Sequence, residues 1–103
     1  MAFVGDFTPA SPNAVEGYSI DFALQIAAGD SIVSVSAALP VHYGTDAAAS
    51  ARLSGSPTFS GTVVTQTLSA LQPGVAYNLI LTAITTLGAT LPNYGRVSCA
   101  PIA

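Results

Sequence analysis

From Glu16 the chain alternates between apolar and polar positions. Tyr18, Ile20 and Phe22 are separated by Ser19 and Asp21, the two-residue period of a strand with one buried face. Residues 23–30, ALQIAAGD, break that period and end on Gly29-Asp30, a turn signal, so a short helical turn over 23–28 is expected. Alternation resumes in SIVSVSAAL, with Val33, Val35, Ala37 and Leu39 on one face and serines on the other, until Pro40 stops it. Residues 41–57 are rich in Gly, Ala and Ser and predict a loop with one short strand near 51–53. TFSGTVVTQTL has the Thr and Val content of a strand, with Gly61 as a bulge or break. A long strand over 77–86, a turn at Gly88 and a last strand over 93–99 complete the pattern.

Six or seven short strands with turns between them predict an all-β sandwich over residues 15–103. Residues 1–14 stand apart. Pro9 and Pro12 follow Phe3, Val4 and Phe7, and proline fixes φ and removes a donor, so this segment reads as an extended N-terminal arm rather than a ladder strand.

LQPGVAY, residues 71–77, sets a stiff corner before the long strand. Pro73 presets one dihedral, Gly74 permits the positive φ that follows, and Tyr77 then opens the strand. In immunoglobulin-like sandwiches a Tyr at this place buries its ring and bonds its hydroxyl to backbone a few residues back. Leu71, Pro73, Gly74 and Tyr77 are therefore the expected tyrosine corner, with Leu68, Leu79, Leu81 and Ala83 also inward; an ordinary hairpin with a buried Tyr is the alternative. The opposite face of the strand carries Asn78, Ile80, Thr82 and Ile84. Two isoleucines where water is expected mark an interface, unless another strand or the arm covers them.

Composition bears on that choice. Only 7% of the 103 residues are charged, Lys is absent, and Arg52 and Arg96 face five acids for a net charge of −3. A lone domain normally keeps its copies apart with more charge. A surface of Ala, Ser, Thr and Gly is easily desolvated and suits packing against neighbours, although a compositional bias of the source would look the same. No cation patch exists for nucleic acid or an anionic membrane. The single Cys99 cannot form an internal disulfide. With no basic, apolar leader and no span of about twenty apolar residues, the chain is expected to be soluble and made in a cytoplasm.

The chemistry-bearing residues are scattered. His42 lies in PVHYGTD beside Tyr43 and Asp46, and one His in a Ser-rich chain does not make a triad. One Cys and one His cannot supply a zinc site, and Asp6, Glu16, Asp21, Asp30 and Asp46 are too dispersed for calcium. No catalytic residue, cofactor or metal is expected. A carbohydrate-binding module would want a flat aromatic platform; Trp is absent and the core claims Tyr18, Phe22 and Tyr77.

The corner resembles the L-x-P-G-x-x-Y signature of fibronectin type III domains, without the Trp and Cys pair of antibody-type domains. Over most of residues 12–99 the chain resembles the small immunoglobulin-like virion proteins of tailed bacteriophages, of the fibre–tail adaptor type. The shared features are Glu16, Tyr18-Ser19-Ile20-Asp21-Phe22, Gly29-Asp30-Ser31-Ile32 and Thr85-Thr86-Leu87-Gly88. The resemblance implies a structural protein, assembled in the host bacterial cytoplasm into a virion. There it would link tail or connector to fibres as several copies around a ring, touching copies of itself and other virion proteins. A capsid decoration protein of the same fold is the alternative. The expected partner interface comprises Phe3, Phe7, Val41, His42, Tyr43, Ile80 and Ile84.

Overall fold

A computed structural model describes residues 2–7 and 15–99. Among the described residues eight strands run in order: β1 Ala2–Asp6, β2 Val15–Asp21, β3 Ile32–Ala38, β4 Val41–Tyr43, β5 Leu53–Ser60, β6 Val63–Ser69, β7 Ala76–Thr85 and β8 Thr90–Ser98. A 3-10 turn at Ala49–Arg52 precedes β5. The strands form two sheets, β1-β8-β7-β3 with β4 also on β7, and β2-β6-β5. Every pairing is antiparallel except β1 with β8. The core lies between the sheets. Tyr18, Ile20 and Phe22 of the β2 run, with Val64 and Leu68 of β6, meet Leu79, Leu81, Ala83 and Val97 of β7 and β8. The sandwich is a rod of about 49 × 22 × 21 Å.

The observed elements differ from the alternation pattern at four places. The first is the arm. Its first part, residues 2–6, is a ladder strand against β8; Pro9 and Pro12 fall beyond it, so its donors are intact. The second is β3, where the register shifts between Ile32 and Ser34. Ile32 is buried, and the extra residue turns Val33 outward to 50% exposure. Val35 and Ala37 keep the inner face. Third, TFSGTVVTQTL is two strands, β5 and β6, rather than one; the break expected at Gly61 is a tight turn, with Gly61 at φ +60°. Fourth, the 41–57 segment holds β4, the 3-10 turn and half of β5 rather than a loop with one short strand. Pro40 interrupts rather than ends the edge, because its carbonyl accepts the Asn78 NH and β4 then rejoins β7. Residues 23–26 make a single turn, closed by the Ile26 NH on the Phe22 carbonyl.

Candidate binding surfaces

Two ends and one sheet face are built from different parts of the chain. At the corner end Gly74 takes φ +75°, and the Tyr77 ring is fully buried. Its hydroxyl accepts the Gln72 NH at 2.9 Å and donates to Asp46 Oδ2 at 2.7 Å. Asp46 also accepts Arg52 Nε at 3.1 Å and the Ala48 NH at 3.0 Å. The phenol thus ties the corner to the 44–52 loop. Arg52 first, then the Tyr77 hydroxyl, holds the Asp46 carboxyl below its ordinary range, while burial pushes the Tyr77 hydroxyl up to about 12. Asp46 was not legible as a partner of Tyr77; the sequence signal is an acid and an Arg six apart across a short turn. His42 gains no carboxylate from Asp46, which is committed to Tyr77 and Arg52.

The hairpin end joins two segments that stand far apart in sequence. Asp30 Oδ1 accepts the Thr86 hydroxyl at 2.7 Å, the Ser31 NH at 2.8 Å and the Leu87 NH at 3.1 Å. The Thr86 NH bonds the Ser31 carbonyl at 2.9 Å. Gly29-Asp30-Ser31-Ile32 and Thr85-Thr86-Leu87-Gly88 are therefore the two halves of one clasp. Hydroxyl donation from Thr85 and Thr86 lowers the Asp30 carboxyl to about 2. Asp21 likewise accepts the Thr62 hydroxyl at 2.7 Å and the Ala23 NH at 2.9 Å, which fixes the β5–β6 turn to the end of β2. Behind the clasp, Gln25 and Asn93 exchange a reciprocal amide pair at 2.9 and 2.6 Å. These acids are spent on turns, so the end is stiff without presenting a cluster of carboxylates.

The outer face of the larger sheet follows from the register. Ser34, Ile84 and Thr90 form one row, Ser36, Thr82 and Pro92 the next, then Ala38, Ile80 and Tyr94, then Asn78 with Arg96. The first three rows carry no charged residue. Ile84 is 41% exposed and Ile80 is half-buried between its in-sheet neighbours. β1 extends the plane beyond β8 and does not lie over this face. Beyond Ile84, the bulged Val33 and then Leu87, 73% exposed on the clasped hairpin, continue the apolar surface to the end of the rod. Leu24, fully exposed, is on the turn at the same end.

The residues singled out from sequence do not form one site. Ile84 and the Val41–Tyr43 strand sit opposite different ends of β7, where Ser34 pairs Ile84 and Val41 pairs Tyr77. Seven residues of strand separate them, about 24 Å. His42 and Tyr43 are exposed, whereas Val41 is partly buried against the core. Phe7 also packs on the core: its ring meets Tyr18 edge-on at 5.2 Å, so it is not a free contact. Phe3 is in β1, Cα partner of Tyr94. Val33, Leu87 and Leu24 were missed, the first because the bulge is invisible to alternation and the others because single apolar residues in turns are common. Among the described residues no three His, Cys, Asp or Glu side chains gather to hold a metal.

Residues 11–93 match the family model described as podophage GP4 fiber-tail adaptor protein gp77. No curated protein matches the chain.

Proposed function

We propose that this chain, which belongs to the podophage GP4 fiber-tail adaptor protein gp77 family, makes its joints through the uncharged outer face of the larger sheet and the clasped end that continues it. It is a structural protein of a tailed bacteriophage virion and links tail to fibres, which sets aside capsid decoration. The finer features are our reading: an immunoglobulin-like sandwich without catalytic function, present as several copies in a ring, assembled in the host cytoplasm and contacting itself and neighbouring tail or fibre proteins.

The single observation that carries this reading is the Ile80–Ile84–Val33–Leu87 surface. A strand face that should meet water presents isoleucines among small polar residues, its first three rows carry no charge, and none of the chain's own described elements lies over it. The clasp keeps that surface in one shape before binding, which lowers the ordering cost of association. An adaptor has to hold on two sides, and the exposed His42 and Tyr43 at the opposite end offer the second contact. Repetition around a ring lets many modest contacts close at high effective concentration.

The test is the double variant Ile80→Asp with Ile84→Asp. Both side chains point away from the core, so the purified protein is expected to keep its circular dichroism and cooperative melting. Incorporation into phage particles is expected to fall at least tenfold. Normal incorporation of the folded variant would remove this face from the joint.

A further inference from the structure

We propose that in the assembled particle residues 2–7 of each copy pair with β8 of the neighbouring copy, so that the N-terminal strand is exchanged around the ring. The inference rests on the multi-copy reading above and adds the element that each copy gives to the next.

β1 is attached to its sheet through β8 alone, at the sheet's edge. The pairing is parallel, and its register breaks between Phe3 and Asp6, where Gly5 takes φ +119°. A short, interrupted, parallel edge is a weak ladder. The hold comes instead from Phe7. Its NH bonds the Arg96 carbonyl at 2.8 Å, and its ring stands edge-on to Tyr18 over Gly95. A Cβ on Gly95 would collide with that ring, so the missing side chain is the slot and Phe7 is the plug. Neither slot nor plug depends on which copy supplies the segment.

The connection allows either arrangement. Residues 8–14 join Phe7 to Val15, and the eight Cα steps between them, at about 3.5 Å each, span at most roughly 28 Å. The rod is 22 by 21 Å across. That maximum exceeds the width of one copy, so the length of the segment permits crossing to a copy lying alongside. Exchange reproduces the same hydrogen bonds and the same ring packing between copies, with no new surface to desolvate. It is also head-to-tail, since the giving segment and the receiving edge are different parts of the chain, and such contacts form a ring where the rotation between copies closes. High local concentration in the ring then favours the arrangement that links copies.

The test uses full-length protein in phage particles. Phe3 and Tyr94 are Cα partners, so one population of chains carries Phe3→Cys and another Tyr94→Cys. Particles containing both are oxidised with diamide and run on non-reducing gels. A disulfide between the two populations, absent when either is present alone, is expected; Cys99 is buried and serves as the background. Chains carrying both substitutions are expected to give a ladder of linked copies. Multi-copy particles in which the double variant closes only within its own chain would overturn the exchange and leave the ring standing. A single copy per attachment point, counted by quantitative mass spectrometry, would overturn both. Should the first pair prevent assembly, Asp6→Cys with Arg96→Cys probes the next pair of the same ladder, beyond the register shift.

Discussion

Tyr77 is the residue on which most of the architecture converges. Its ring fills the core and its hydroxyl serves Gln72 and Asp46 together. Tyr77→Phe should keep the packing but strand the Gln72 NH and leave Asp46 Oδ2 with Arg52 alone, costing about 1–3 kcal/mol in denaturant unfolding. Tyr77→Ala should cost on the order of 3–5 kcal/mol, much of a typical domain's stability. This corner was readable because Pro73, Gly74 and Tyr77 encode it within seven residues. Its tie to Asp46 was not, because that carboxylate arrives from a loop with no period to betray its direction. Asp30 gives a prediction in pH. Its folded pKa of about 2 lies below the unfolded carboxylate value near 3.9. The clasp's contribution is thus fully present above about pH 4 and is lost as pH falls through 2. Thermal stability should drop over that window, and Asp30→Ala should flatten the drop. Carboxyl carbon NMR should find Asp30 still ionised at pH 3.

At the scale of the element, β2, β7 and the later part of β3, from Val35 on, could be read from alternation because one side of each faces the core. The bulge at Val33 could not. Ile32 and Val33 are adjacent apolar residues, and only the pairing with β7 decides which turns inward. β1 was hidden for a different reason: its partner is some ninety residues downstream, and two nearby prolines pointed to an unpaired segment. The Phe7–Gly95 fit makes this strand testable. Gly95→Ala should push the Phe7 ring out and loosen β1, because the colliding atoms belong to the movable end of the ring. Amide exchange at Phe7 should rise while the β2–β6 ladder keeps its protection, with a stability loss of about 1–3 kcal/mol. Equal loss of protection in both sheets would show that Phe7 holds the whole sandwich rather than one strand.

Over the whole molecule, low charge and an apolar outer face belong together. A surface spent on Ser, Thr and Ala repels neither its own copies nor a neighbour, and Asp21, Asp30 and Asp46 are used to fix turns. Sequence alone conveyed that the protein is a sandwich made for contact. It did not convey that Ile84 and Tyr43 sit toward opposite ends of a long strand, because distance along a rod depends on which strands pair. Hydroxyl-radical footprinting of the free protein and of intact particles reads the outer face most directly. Ile80, Ile84, Val33 and Leu87 should react in solution and become several-fold protected in the particle, while Ser54 and Thr58 on the smaller sheet change little. Equal reactivity of the four apolar residues in both states would contradict the assignment of this face as the joint.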